Sequence, residues 1–326
     1  MQAPQEDSSL NLLTPAPEER LQSWLSEFYG KSVEIVSREL LRHRDLSYVE
    51  RLVLKDCLPE SLIYKQVLPP WDVEQDLHER ILIPSIASSA QLYMTAHSGQ
   101  LTTMFLEDLG GVNLKEQSVE TKTARHLGED IARMHRAYSY RIDELIQMNV
   151  LRTLNPIDFE TFANDVTKPL VDWGDLDEDD AISIAQAAKE IAHALAGEPT
   201  TLVHGDLYAE NIIKRNDRTF IIDWSWFTQI GVPTMDLASL ISDHPKNGEL
   251  RKHVDEILEA YCFESGRKTE DVQKALPYAA ALERLCFLHW LQLRKTMGIL
   301  GTTVGPVEKL MRVVADDIIS KRQSWS

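Results

Sequence analysis

Five short strand-like runs fall in the first third of the chain, and apolar residues recur at helical spacing through most of the rest. Residues 32–41, 48–55 and 61–67 read as three strands, with turns at 42–45 and 56–60; residues 91–96 and 101–106 read as two more around a turn at Ser98-Gly99. Ahead of them Leu21, Trp24, Leu25 and Phe28 mark one face of a helix that Gly30 stops. Residues 71–88, with Leu77, Ile81 and Ile83, predict a helix between the third and fourth strands. Ala124, Leu127, Ile131 and Met134 predict a helix over 118–138, and residues 141–196 are largely helical. Helices over 235–242, 253–262, 271–297 and 313–321 complete the chain, with Leu285, Leu288, Leu291 and Leu293 as core positions. Residues 1–20, rich in Pro, Glu and Ser, predict a loose start.

One stretch breaks this pattern with chemistry: Val203-His204-Gly205-Asp206-Leu207-Tyr208-Ala209-Glu210-Asn211-Ile212-Ile213, followed by Phe220-Ile221-Ile222-Asp223-Trp224. Leu202-Val203 forms a short strand leading into a polar loop. Ile212-Ile213 and 220–222 flank a polar turn, a hairpin expected to bring Asn211 and Asp223 together. Phosphoryl transfer needs a carboxylate that orients the acceptor hydroxyl and takes its proton, plus oxygen ligands for the cations that neutralise the phosphates. Asp206 suits the first task, and Asn211 and Asp223 suit the second, since a hard cation prefers oxygen. Protein kinases carry the corresponding pattern as H-R-D-x-x-x-x-N with D-F-G. Lys65 lies inside the apolar run Leu62-Ile63-Tyr64-Lys65, where an ammonium needs a charged partner or a phosphate. Lys55, its rival, stands at a strand end beside Asp56, where a surface lysine is ordinary.

The balance of 34 Lys and Arg against 51 Asp and Glu leaves a net charge of −17 in 326 residues. That argues against a nucleic-acid partner and against an anionic membrane surface, and it attracts cationic substrates over distance. The acidic stretch 172–180 reads as a solvated loop or helix start, with a lure for an amine-bearing substrate as the alternative. Hydrophobic residues make up 43% and charged residues 26%, the balance of a globular enzyme with a substantial core. Cys57, Cys262 and Cys286 lie far apart, which disfavours a zinc site or a disulfide framework and fits reducing cytoplasm. Neither a signal peptide nor a membrane span is expected from the apolar runs.

His204-Gly205-Asp206-Leu207, Glu210-Asn211, Ile221-Ile222-Asp223-Trp224, Gly231 and Asp236-Leu237-Ala238 together resemble the aminoglycoside phosphotransferase and choline kinase family, small-molecule kinases with a protein-kinase-like fold. The dense match runs over 202–240, and a looser one from the Lys65 region to the end of the chain. The resemblance implies an α/β (α+β), two-lobed fold: a loose start over 1–20, an N-terminal nucleotide-binding lobe with a small antiparallel sheet over 21–109, and a mainly helical catalytic and acceptor-binding lobe over 110–326. It implies ATP and Mg2+ as cofactors, Asp206 as catalytic base, and Asn211 and Asp223 as metal ligands. Lys65 would grip phosphate and pair with a helix glutamate, Glu79, with Glu74 as the alternative. Backbone groups around Glu107 and Leu109 would hold the adenine edge. Asp236 would be a buried brace for the catalytic loop, and His204 a structural residue.

Two departures from the protein-kinase pattern matter. No glycine occurs between Gly30 and Gly99, so the first hairpin has no glycine-rich phosphate loop; Ser47, Arg42 and Arg44 are the remaining phosphate contacts to consider. Gly205 replaces the arginine of the kinase loop, and only twelve residues separate Asp223 from Asp236, which predicts a site assembled without activating phosphorylation. The expected activity is ATP- and magnesium-dependent transfer to a hydroxyl of a small molecule, with aminoglycosides, choline-like amino alcohols and sugars as acceptor classes. Asp243, Glu283, Trp226 and Trp290 are candidates to meet a cationic acceptor. A nucleotide-sensing protein without turnover, or a protein kinase, is the alternative. Oligomeric state is not encoded in these features.

Overall fold

Every second side chain of Ser47–Leu54 is buried, and this alternation fixes the register of the sheet built around it. In the computed structural model, which describes residues 13–302 and 305–325, the strands β1 (Ile35–Arg44), β2 (Ser47–Leu54), β3 (Ser61–Val67), β4 (Leu92–Ser98) and β5 (Leu101–Glu107) form one antiparallel sheet in the order β1-β2-β3-β5-β4. All five expected strands are present. The first turn is tighter than expected: β1 runs on to Arg44, which pairs with Ser47, so residues 42–44 are strand and not turn. Register shifts at Ile35/Ser37 and Leu40/Arg42 absorb the extra length.

The chain divides into two compact units, one of residues 1–111 with 220–226 and the other of 112–219 with 227–326. In the first, α1 (Glu18–Tyr29) buries Leu21 and Leu25 against Tyr48, Leu52, Leu62, Tyr64 and Phe105 of the sheet. Of the loose start expected over 1–20, residues 1–12 lie outside the described residues, while Leu13 and Ala16 are buried. The Ala16 N–H donates to the Tyr64 hydroxyl at 2.9 Å. The single helix expected over 71–88 is broken into α2 (Val73–Asp76), a π-helical turn (Leu77–Ile81) and, after Leu82 and Ile83, α3 (Pro84–Ala87). Pro84 forces that break, because its ring clashes with a preceding helical turn.

The second unit is mainly helical. It contains α4 (Thr121–Ser139), α5 (Ile142–Met148), α6 (Phe159–Asp172), α7 (Glu178–Leu195), α8 (Thr234–Leu240), α9 (Val254–Ser265), α10 (Thr269–Thr296) and α11 (Val307–Gln323). The helices α6, α7, α10 and α11 enclose one core that includes Phe159, Ile184, Leu285, Leu288, Met311 and Ile318. The acidic stretch 172–180 runs from the last residue of α6 through a loop into the first turn of α7: the Asp177 carboxylate caps α7 by accepting from Asp180 N at 2.8 Å, and Lys295 neutralises Asp175 in the loop. Gly128 lets α4 lie close on α9, since a Cβ there would sit 2.5 Å from the Ile257 carbonyl oxygen. Short strands β6 (Arg152–Thr153), β7 (Thr201–Val203) and β10 (Gln229–Gly231) form a ladder in the order β6-β10-β7. The hairpin of β8 (Ile212–Arg215) and β9 (Arg218–Ile221) follows the polar loop. Among the described residues no helix is long and apolar enough to cross a membrane, and Cys57, Cys262 and Cys286 are buried thiols.

His289 of α10 gives this unit a pH-dependent stability. Its Nδ1 lies 3.0 Å from Arg152 Nη1, and burial, with the nearby Arg152 charge, pushes its pKa down to about 4. The unfolded chain therefore binds a proton near pH 6.5 that the folded chain refuses until about pH 4, so the contribution is complete above 6.5 and is lost as pH falls through that window. Across it, stability is expected to fall by on the order of 2 kcal/mol, and His289→Asn, which keeps an acceptor for Arg152, is expected to flatten that slope in denaturant titrations.

Candidate active site

Strand β7 delivers the chain into the loop that carries Asp206, and the loop is held by its backbone. The buried Asp236 carboxylate on α8 accepts from His204 N at 3.0 Å and from Gly205 N at 2.9 Å, and it meets His135 Nε2 at 3.1 Å. Burial pushes the Asp236 pKa up, but these partners, His135 first, bring it below the usual carboxylate value. His204 is itself buried and accepts from Asp206 N through Nδ1 at 3.3 Å. Gly205 adopts φ +78°, and a Cβ there would lie 2.3 Å from the Phe227 carbonyl oxygen, so the loop admits no side chain at this position. The arginine of the protein-kinase pattern is thus excluded by space as well as by sequence.

Both oxygens of Asp206 are oriented. Asn211 Nδ2 donates to its Oδ2 at 3.2 Å and to its backbone carbonyl at 2.9 Å, while Lys246 Nζ stands 3.4 Å from Oδ1. With the Asn211 amide nitrogen committed in this way, its oxygen is the atom left to offer a cation. Lys246 also meets Glu210 Oε1 at 2.9 Å and lies over the Tyr208 ring at 4.8 Å. Burial raises the Glu210 pKa, and Lys246 with Lys115 more than offsets that, so the carboxyl stays ionised. The Tyr208 hydroxyl donates to Glu283 of α10 at 2.7 Å. Asn247 accepts from Ala209 N and donates to the Ser239 and Ser242 carbonyls, which ties the loop to the end of α8.

The first unit gathers a second cluster. Lys65 on β3 is 7% exposed and meets Asp223 Oδ1 at 2.6 Å and Glu74 Oε2 at 2.5 Å. Arg42 Nη1 donates to the other oxygen of Asp223 at 2.7 Å. Burial would neutralise Lys65, yet the two carboxylates raise its pKa. Burial likewise opposes ionisation of Asp223, and Lys65 and Arg42 hold it well below the usual carboxylate range. Glu74, more enclosed, is pushed up to about 7 by burial even beside Lys65. Asp223 takes the left-handed backbone conformation at φ +63°, unusual for a residue with a side chain and costing about 1 kcal/mol or more. The bond from Ile221 N to the Ser88 carbonyl, 2.7 Å, anchors this segment.

The lysine's partner is Glu74 and not Glu79. Glu79 accepts instead from Gln75 Nε2 at 2.9 Å and Thr95 Oγ1 at 3.1 Å. Glu74 shares the apolar face of Leu77 and Ile81, three and seven residues on, whereas Glu79 lies off that face; this spacing is the signal that marks the buried carboxylate. Lys55 pairs with Glu34 at the surface. Ser47 opens β2 opposite Arg44 and Val67. At the end of β5 the Glu107 N–H is taken by the Gln91 carbonyl at 2.8 Å, while Leu109 N–H donates to no backbone carbonyl among the described residues. Asp223 belongs to the first unit, and Asp206 and Asn211 to the second.

Lys246 and Asn247 lie outside the motifs legible in the sequence, and nothing in their spacing singles them out. Of the residues considered for a cationic acceptor, Glu283 is engaged by Tyr208 and Trp290 is buried beside Arg294 and Phe227, while Asp243 is exposed. Asp223 in the first unit offers an ionised carboxylate and Asn211 in the second an amide oxygen, each an atom of the kind a hard cation prefers. Among the described residues no group of three or more His, Cys, Asp or Glu suited to a metal occurs.

Residues 77–272 match the phosphotransferase enzyme family, APH. The fold is similar to that of Plasmodium vivax ethanolamine kinase, at 11% identity and a TM-score of 0.62 over 96% of this chain and 90% of that one. It is also similar to aminoglycoside phosphotransferase APH(4)-Ia in a ternary complex with ADP and hygromycin B, at 15% identity and 0.55 over 92% and 98%. The gentamicin complex of APH(2″)-IIa is a third, at 15% identity and 0.59 over 95% and 97%. At such identities these likenesses establish a shared protein-kinase-like fold. No curated protein sequence matches the chain.

Proposed function

Because the chain belongs to the phosphotransferase enzyme family, we propose that it moves the terminal phosphoryl group of ATP, with magnesium, to a hydroxyl of a small molecule. The observation that carries this reading is the contact between Lys65 and Asp223, 158 residues apart in sequence, which joins a phosphate-gripping cation to a metal-binding carboxylate. The ADP and AMP-PNP complexes of APH(4)-Ia support a nucleotide as donor.

When bound, magnesium would supply the positive charge that neutralises the phosphates and the charge developing on them during transfer. The protein's own part is positioning. Asp206, oriented by Asn211 and Lys246, receives the acceptor's proton as its oxygen meets phosphorus. Lys65, aimed by Glu74, would hold the donor's phosphates, and Asp223 of the first unit and Asn211 of the second would each present an oxygen to the metal. Ser47 flanks the phosphates, and the backbone around Glu107 and Leu109 receives the adenine edge, through the Glu107 carbonyl and the Leu109 N–H.

The net charge of −17 supports an amine-bearing acceptor such as an amino alcohol or aminoglycoside. A cytoplasmic location, where ATP and free thiols coexist, belongs to the same reading. The test is ATP consumption across aminoglycosides, choline, ethanolamine and sugars, followed by mass spectrometry of the product. Transfer to a hydroxyl of one of them is expected; ATP turnover confined to protein substrates would replace this reading with that of a protein kinase.

A further inference from the structure

We propose that Arg42 is a phosphate-binding residue that Asp223 holds in readiness, and that metal and guanidinium exchange places at that carboxylate when the nucleotide arrives. The inference rests on the reading of a magnesium nucleotide as donor. It begins from the sequence feature left unexplained above: a first hairpin with no glycine between residues 30 and 99. A glycine-rich turn presents backbone N–H groups to phosphate because the chain can approach without side chains in the way. The β1–β2 hairpin lacks that option, so its donors must come from side chains.

Arg42 is the hairpin side chain placed for the task. It stands where the β1–β2 pairing slips by a residue between Leu40 and Arg42, and such an irregularity re-aims a side chain. Its guanidinium reaches Asp223 Oδ2 at 2.7 Å while Lys65 takes Oδ1 at 2.6 Å. Of the other arginines on its two arms, Arg38 is committed to Glu50 and Arg51 to Asp108 and Glu39, while Arg44, at the end of β1, is exposed. The Arg42 side chain is about a quarter exposed, at 28%, so it can leave its partner without opening a buried core.

A magnesium ion at Oδ2 would compete, by like charge, with the guanidinium that already donates to that oxygen. A cation at a coordination distance of about 2.1 Å displaces a donor of like charge from the same oxygen. Once displaced, Arg42 stays beside the metal and meets the phosphate oxygens that the metal brings, to which its planar fork donates two parallel bonds. The exchange keeps Asp223 paired at every stage, so its carboxylate is never left without a countercharge.

The test uses the full chain and titration calorimetry with Mg·ADP and with adenosine, which carries no phosphate. Arg42→Met is expected to weaken Mg·ADP binding by about 10- to 100-fold, the range of a charge-assisted contact, and to leave adenosine within about twofold. Arg42→Lys is expected to recover part of the loss, since it restores the charge but not the fork. With no nucleotide present, Mn2+ read by electron paramagnetic resonance is expected to bind Arg42→Met more tightly than the parent, because Oδ2 is released. Mg·ADP affinity unchanged or improved in Arg42→Met overturns the phosphate role and leaves the proposed function intact. An equal loss for adenosine assigns Arg42 to the fold and also overturns it. Unaltered or weaker Mn2+ binding overturns the exchange. A parent protein that binds no Mg·ADP overturns this inference and the ATP reading together.

Discussion

Asp206→Asn is expected to lower turnover by about 10²- to 10⁴-fold, the usual worth of a positioned general base, while nucleotide affinity and melting temperature stay close to the parent values. The reason is local. An asparagine keeps the shape of the side chain and can still accept from Lys246, but it has no carboxylate to receive the acceptor's proton. The loop itself does not depend on that carboxylate: Asp236 holds it through the N–H groups of His204 and Gly205, and Asn211 through the Asp206 carbonyl. The side chain is also partly exposed, at 26%, so its change disturbs no core. Single-turnover and steady-state rates, with the acceptor found by the panel, measure the effect. Turnover at the parent rate would remove Asp206 from the role of base.

The second large effect is expected at Lys65. Replacing it with Met leaves Glu74, only 2% exposed, beside Asp223 with their shared cation gone. Breaking a buried ion pair from one side costs about 3–5 kcal/mol, far more than the intact pair contributes over an apolar substitute. Lys65→Met should therefore melt earlier, unfold at lower denaturant and bind Mg·ATP weakly. Adding Glu74→Gln removes the stranded carboxyl, which without Lys65 escapes its charge only by taking up a proton, so the double variant should regain much of the stability while remaining inactive. Glu79→Gln, by contrast, should stay within about 0.5 kcal/mol of the parent, as for most surface changes. A double variant no more stable than Lys65→Met would contradict the pairing of Lys65 with Glu74.

These two sites also show how far the sequence could be read. The loop from His204 to Asn211 and the strand residues around Lys65 announce themselves, because a polar or charged residue inside an apolar run has few uses. The five strands follow from alternation for the same reason. The resemblance supplies a helix glutamate but not the local path of the helix, so it points to Glu79 where the structure pairs Glu74 with Lys65. The π turn at Leu77–Ile81 and the stop at Pro84 change that path, and only the face shared by Glu74, Leu77 and Ile81 reveals the buried carboxylate. Arg42 and Asp223 lie 181 residues apart, and no periodicity links them. Lys246 and Asn247 are hidden differently: they sit in a short, mostly polar segment, where one lysine looks like any other. The turn at 42–45 was misplaced because β1 continues through a register slip that alternation alone does not show.

The manner in which the catalytic loop is tied down bears on how such enzymes diversify. Among the described residues its main-chain anchors include Asp236 of α8 and Asn247 just beyond it, while α10 reaches the loop through a side chain, Glu283 accepting from the Tyr208 hydroxyl. Among the described residues, positions along α10 other than Glu283 can be exchanged without breaking a hydrogen bond to this loop. Drift along that helix can thus proceed while the bonds that fix the loop are inherited unaltered.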